Sequence, residues 1–189
     1  MKITDLLPEN EPALQQAAVV LVAGFKDNPA YVPDIESALV VVRKAVQPGR
    51  ICRVALDENE VVVGWVGGIS GYGGLAWELH PLVVDPVHQG RGVGQALVAD
   101  LEERVRERGG LTVHLGTDDE DYSTSLSGTD LYPDVLRHLA GIRNLRRHPY
   151  EFYQKLGYVI VGAIPDANGF GKPDILMAKR VGKIDTESV

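Results

Sequence analysis

The run Gln89-Gly90-Arg91-Gly92-Val93-Gly94 has the make-up of a phosphate cradle. It follows the apolar stretch Leu82-Val83-Val84 and a turn at Asp85-Pro86, and it leads into a helical repeat. A glycine-rich turn of this kind leaves backbone N–H groups free at a helix start, where the macrodipole is positive. Such a place binds a phosphate or pyrophosphate. The spacing excludes two common versions. A dinucleotide fingerprint needs G-x-G-x-x-G, and Gln95 stands where its third glycine belongs. A P-loop needs Gly-Lys-Ser/Thr, a triplet absent from the chain.

Other residues have types suited to proton transfer or charge recognition. Glu78 and His80 are two apart in a strand-like run, which puts a carboxylate and an imidazole on one face. The carboxylate can take a proton, and the imidazole can orient a water or a substrate. A hydrogen-bonded structural histidine beside Pro81 is an equal reading of His80. Asp118-Asp119-Glu120-Asp121 follow directly on a strand-like run. Four like charges repel, so a cationic partner would offset them; a solvated loop with one capping Asp is the alternative. Asp174 is a further carboxylate of the same kind. Tyr150 and Tyr153 carry phenols, which are protonated at neutral pH and can donate. His88, His114, His138 and His148 lack H-x-x-x-H or H-E-x-x-H spacing, so no metal is expected.

The elements that must position these groups follow from periodicity. A first strand is expected over 3–7, then a helix opened by Pro8-Glu9-Asn10-Glu11-Pro12 and running to about Gly24. Residues 28–33 read as a loop. Asp34 can cap a second helix with Ile35, Leu39, Val42 and Val46 on one face. Strands over 51–56 and 61–70 flank a turn at Asp57–Glu60 and make a hairpin. A third strand covers 75–84. The helix after the glycine loop repeats Val93, Leu97, Leu101 and Val105. Asp100–Arg104 and Glu102–Arg106 have i,i+4 spacing on its other side. Gly109-Gly110 stops it, and a strand over 111–116 follows, parallel to the third because a helix joins them. Residues 117–128 are polar. Helical pieces are expected over 132–139 and 150–156, then strands over 158–164 and 175–181.

The chain has 189 residues, enough for one domain over 1–182 with a flexible tail over 183–189. Its hydrophobic fraction of 44% and charged fraction of 24% are ordinary for a globular protein. The net charge of −7 argues against nucleic-acid binding and favours cationic partners. Cys52 is the single cysteine, so a disulfide framework is excluded and a small buried thiol is expected. The longest apolar run, 17–25, is too short to span a bilayer, and no signal-peptide layout opens the chain. A cytoplasmic protein is expected.

Gln-x-x-Gly-x-Gly after a Val-Val-x-Pro strand end resembles the acetyl-CoA loop of the GNAT N-acetyltransferase superfamily. Tyr150-Glu151-Phe152-Tyr153-Gln154-Lys155-Leu156-Gly157-Tyr158 is similar to its Phe-Tyr-x-x-x-Gly-Tyr/Phe element. Trp77-Glu78-Leu79-His80-Pro81-Leu82, Leu115-Gly116-Thr117-Asp118-Asp119-Glu120, His148–Tyr153, Ile164–Gly169 and Lys172–Ile175 resemble the aminoglycoside 6′-N-acetyltransferases over roughly 75–180.

The resemblance implies an α/β fold with a mixed, mostly antiparallel sheet flanked by helices. It implies acetyl transfer from acetyl-CoA to an aminoglycoside 6′-amine by direct attack in a ternary complex, and hence antibiotic resistance. Leu82, Val83, Val84, Gln89, Gly90, Arg91, Gly92, Val93, Gly94 and Tyr153 would hold the coenzyme. Glu78 and His80 would serve the amine, the Leu82 N–H the oxyanion, and Tyr153 the sulfur, with Tyr150 a core or wall residue. Trp77, Glu78, Asp118, Asp119, Glu120 and Asp174 would hold the aminoglycoside. A homodimer is implied too. Arg146 stands where many relatives have Asn, which affects any coenzyme contact of that Asn. Another amine acceptor (polyamine, amino acid or protein), or a non-catalytic CoA-binding module, are the alternatives.

Overall fold

The computed structural model describes residues 1–26 and 34–183. Its strands are β1 (Lys2–Asp5), β2 (Ile51–Leu56), β3 (Val62–Gly71), β4 (Ala76–Val84), β5 (Thr112–Asp118), β6 (Val159–Ile164) and β7 (Asp174–Arg180). Its helices are α1 (Glu11–Gly24), α2 (Ile35–Ala45), α3 (Val93–Glu107), α4 (Val135–Ala140) and α5 (Tyr150–Lys155). The strands form a seven-stranded mixed sheet in the order β1-β2-β3-β4-β5-β7-β6, the expected α/β class. Neighbours β1/β2, β2/β3, β3/β4 and β6/β7 are antiparallel. The loop expected over 28–33 lies outside the described residues, as does all but Lys183 of the expected tail. The chain divides into two compact units, Met1–Val113 with the residues from Val181, and His114–Arg180.

In the first unit both early helices start as their sequences dictate. Asn10 accepts from the Ala13 N–H at 3.2 Å, and Asp34 from the Ser37 N–H at 2.7 Å. The face of α2 is largely the expected one: Val42 is buried and Leu39 and Val46 pack half-buried against the core, joined by Ala38 and Ala45, while Ile35 is exposed. The small alanines let α2 pack on α1, and closeness of approach outweighs the size of the isoleucine.

These two helices cover one side of the hairpin, where the Trp65 indole donates to Ala17 O at 3.0 Å. The other side takes α3. Its Leu101 lies over Gly68, where an added Cβ would come within 2.7 Å. Val93, Leu97, Leu101 and Val105 are all buried, as their spacing predicts. The charged side of α3 is arranged differently. Glu102, expected in solvent, is buried, and the pairs formed are Arg104–Glu107 and Arg106–Glu103, at i,i+3. Asp100 instead accepts from Arg53 of β2 at 2.6 Å, and Asp5 holds the same guanidinium at 2.5 Å. A half-desolvated cation across the fold is a better partner than an exposed arginine on the same helix.

In the second unit β6 and β7 form a hairpin with a register shift between Ile160 and Gly162. The helical pieces are shorter than expected. α4 starts only at Val135, beyond Pro133, and α5 ends at Lys155 before the positive-φ Gly157.

Candidate active site

The glycine loop is built as its sequence implies. The Asp85 carboxylate accepts from the Val87 N–H at 2.9 Å, and residues 86–88 form one 3₁₀ turn. The Gln89 amide donates back to Val84 O at 3.0 Å, tying the loop to the strand end. Gly90 (φ 71°) and Gly92 (φ 84°) are left-handed, a conformation glycine adopts without strain. Gly92 is the N-cap of α3 and no side chain caps the helix. The first intrahelical bond runs from the Ala96 N–H to Gly92 O at 3.0 Å, so the N–H groups before it point along the helix axis. Val93 is buried by its side chain and can contribute only its backbone to a ligand. A 15-residue helix with an uncapped start fits a pyrophosphate, the group coenzyme A would present.

On β4 the structure adds a feature absent from the sequence reading. Gly68 pairs with Leu79, but Val66 pairs with Leu82. Between these pairs a single β3 residue, Gly67, opposes two of β4, and the extra residue is a bulge at His80-Pro81. Directly opposed residues share a face of the sheet. Trp77 and Leu79 oppose Ser70 and Gly68, on the α3 side, whereas Val83 opposes Trp65, on the α1 side. The bulge thus switches which face the odd positions take. The alternation that put Glu78 and His80 on one face holds only up to the bulge, in which His80 lies. It fails between Glu78 and Leu82, which point to opposite sides. Pro81 was the available signal: a proline inside a central strand occurs essentially at bulges. Gly67, across from it, has no room for a Cβ because the His80 carbonyl occupies that space.

Trp77 is packed in the first unit. Its indole N–H donates to Gly74 O at 2.9 Å, the Arg108 guanidinium stacks 5.4 Å from its ring centroid, and Gly110 packs on its edge. Trp77, expected to line the substrate, is a buried residue on the face of the sheet opposite Glu78.

In the second unit β5 alternates, with Leu115 and Thr117 buried and Gly116 and Asp118 exposed. Because Gly116 lacks a Cβ, the Asp174 carboxylate lies against it, with Oδ1 2.7 Å from where a Cβ would be. Asp118 and Asp174 thus share the open face of β5. Asp118 accepts from the Asn168 amide at 2.5 Å. Asp119 is different. It is fully buried, and its carboxylate accepts from the Ser123 N–H (2.7 Å), the Thr124 N–H (2.9 Å) and the Thr124 hydroxyl (2.6 Å). Burial alone would raise its pKa, but the bonds from Ser127, Thr124 and Ser123 outweigh that and hold the carboxyl below the usual range. The Asp119 carboxylate, expected to meet the substrate, is bonded within the loop that carries Asp118 and Glu120.

Tyr153 is buried on α5, edge-on to Phe152 and to Tyr158, with centroids 5.0 and 5.6 Å apart. Burial pushes its phenol well above the ordinary value, so it is protonated at any working pH. Tyr150 is buried too and raised mainly by burial, with Glu151 adding to it. Arg146 is exposed, and its backbone N–H donates to Ser123 O at 3.1 Å. Among the described residues, no group of three or more His, Cys, Asp or Glu could hold a metal ion. None of their helices is long and apolar enough to cross a membrane.

Residues 23–125 match the model of the acetyltransferase (GNAT) family. The chain belongs to that family and is an acetyl-CoA-dependent N-acetyltransferase. Among solved structures it is similar to an aminoglycoside 6′-N-acetyltransferase complexed with coenzyme A, at 44% identity and TM-score 0.88. That match covers 96% of this chain and 97% of the other. The aminoglycoside 6′-N-acetyltransferase from Enterococcus faecium is also 44% identical over the same shares, with TM-score 0.86. An aminoglycoside 6′-acetyltransferase type Ii is 37% identical, again over 96% and 97%, with TM-score 0.74. No curated protein matches significantly.

Proposed function

We propose that this enzyme moves the acetyl group of acetyl-CoA onto the 6′-amine of an aminoglycoside, and so inactivates the antibiotic. The observation that carries the acceptor is the open acidic face of β5 with Asp118, Asp174 and the adjoining Glu120, which suits a polycation. It is supported by 44% identity to enzymes of that activity over nearly the whole chain.

The reaction has three needs. An alkylammonium of pKa about 10 must lose a proton before its nitrogen can attack. Glu78 takes that proton, directly or through a water that His80 helps to orient. The thioester oxygen gains charge as the new C–N bond forms, and the Leu82 N–H donates to it. The new amide nitrogen gives its second proton to solvent, the C–S bond breaks and sulfur leaves with the electron pair. Tyr153 donates a hydrogen bond to that sulfur. With unperturbed values near 10 for phenol and about 8.5 for thiol, complete transfer would already be uphill by about 2 kcal/mol. Burial of Tyr153 widens the gap. Its role is therefore to stabilise the developing thiolate by a hydrogen bond, with the final proton supplied from solvent. The uncapped start of α3, with Gln89, Gly90, Arg91, Gly92 and Gly94, holds the pyrophosphate, and Val83 and Val84 border the pantetheine arm. A homodimer belongs to the same proposal, supported by the exposed apolar side chains Val159, Val161 and Ile164 on the edge strand β6.

The test follows free thiol in mixtures of enzyme, acetyl-CoA and an aminoglycoside. Cys52 does not interfere, since it is buried and its thiol is pushed up to about 12, chiefly by burial. A compound with a 6′-amine should turn over, and its 6′-hydroxyl counterpart should not. Equal turnover of both would overturn the 6′ assignment. Turnover of neither, with release from a polyamine or peptide amine instead, would replace the acceptor.

A further inference from the structure

His148 is 3% exposed, and both of its ring nitrogens are in use. Nε2 lies 3.1 Å from the Asp118 carbonyl oxygen, which can only accept, so Nε2 carries the hydrogen. Nδ1 accepts from the Tyr150 N–H at 3.2 Å. The ring is thus a neutral Nε2–H tautomer spanning two segments. One is the junction of β5 with the acidic loop. The other is the first turn of α5, where the N-cap is Pro149 and no side chain of the cap residue serves the helix. Nδ1 does there what a capping oxygen does elsewhere.

The backbone of His148 is clamped as well. Asn144 donates its amide to His148 O at 2.9 Å and accepts the His148 N–H at 2.8 Å. The segment containing that clamp runs beside the acidic loop, with the Leu145 and Arg146 N–H groups donating to Ser123 O and the Ser125 N–H to Arg143 O. Asp119 closes the same loop from within, through Ser123 and Thr124. A costly buried imidazole placed where these lines meet has a mechanical use.

We propose that His148 is a positioning residue whose imidazole ties the start of the acidic loop, at Asp118, to the first turn of α5, which carries Tyr153. This rests on the reading given above, in which the loop faces the aminoglycoside and Tyr153 serves the sulfur. The two ends of the imidazole then have separable kinetic consequences. The Asp118 end sets how the acceptor is held. The Tyr150 end sets where the Tyr153 hydroxyl sits.

Two substitutions separate them. His148→Asn keeps an acceptor at the Nδ1 position and loses the reach to Asp118. It should raise KM for the aminoglycoside about fivefold, the size one hydrogen bond carries, with kcat little changed. His148→Gln keeps a donor near the Nε2 position and loses the cap on α5. It should lower kcat by about fivefold with that KM little changed. Both should leave KM for acetyl-CoA at the wild-type value. Variants that match the wild type, or that move kcat and KM by a common factor, overturn the tie. A ¹⁵N NMR spectrum of the wild-type imidazole provides a readout independent of turnover and of variant folding. A neutral Nε2–H ring at pH 7 is required, and an Nδ1–H or doubly protonated ring refutes the proposal. If the wild type acetylates no aminoglycoside, the functional reading fails while this spectrum still decides the tie.

Discussion

Removing the Tyr153 hydroxyl deletes one donor and leaves its packing against Phe152 and Tyr158 intact. Tyr153→Phe is therefore expected to keep the melting temperature and lower kcat/KM by about tenfold or more, read by thiol release. The effect should fall on kcat, since the bond forms as the sulfur leaves. Glu78→Ala should cost at least as much in kcat/KM, again about tenfold or more. A Tyr153→Phe enzyme at full rate would remove that phenol from the reaction. Asp119 shows how one carboxylate can resemble a ligand group and yet act within the fold. It belongs to a run of four acids, but it alone of them is buried, while Asp118 is exposed on β5. Nothing in the run distinguishes it, because the Ser123 and Thr124 N–H groups that claim it are a product of the turn.

At the scale of elements, the start of α3 is the part most sensitive to a single Cβ. Gly92 has φ 84° with open space around it, so alanine meets no clash but takes a left-handed backbone, a strain of about 1–2 kcal/mol. Relief by a shift of the loop would turn the N–H groups away. Gly92→Ala should raise the Kd of coenzyme A by titration calorimetry, with the acceptor KM unchanged. The second unit carries a pH dependence of its own. Burial lowers the pKa of His148, against the opposing pull of the Asp118 carbonyl and of Asp119, Asp121 and Asp118. A folded pKa below the unfolded value means that its stabilising share is complete above about 6.5 and is lost as pH falls from there. The carboxyl of Asp119 follows the same sign in a lower window, below about 4. Urea midpoints should therefore drop between pH 7 and pH 5, and His148→Gln should flatten that part of the curve.

For the molecule as a whole, the net charge of −7 adds a long-range attraction for a polycation and a repulsion for an anionic coenzyme. Raising salt from 0.02 to about 0.3 M shortens the Debye length to a few ångströms. KM for a multiply charged aminoglycoside should rise with salt, and KM for acetyl-CoA should stay level or fall. A salt response of the same sign for both would mean that local contacts outweigh the net field.

The residues alone determined the strand–glycine loop–helix unit, because each step has a local cause. Asp85 and Pro86 turn the chain, Gly90 and Gly92 supply left-handed backbone, and the four-residue apolar repeat makes α3. The caps at Asn10 and Asp34 are local in the same way. Family motifs placed Tyr153 and the acidic run. Only the tertiary structure decided what depends on distant partners. The bulge at His80-Pro81 exists relative to the register of β3 and sends Glu78 and Leu82 to opposite faces. The burial of Trp77 depends on Arg108 and Gly110, and the pairing of Asp100 depends on Arg53. His148 shows no motif at all, since its two partners, Asp118 and Tyr150, become neighbours through folding. Periodicity reports which way a side chain points along its own element, and contacts across the fold decide which group it meets there.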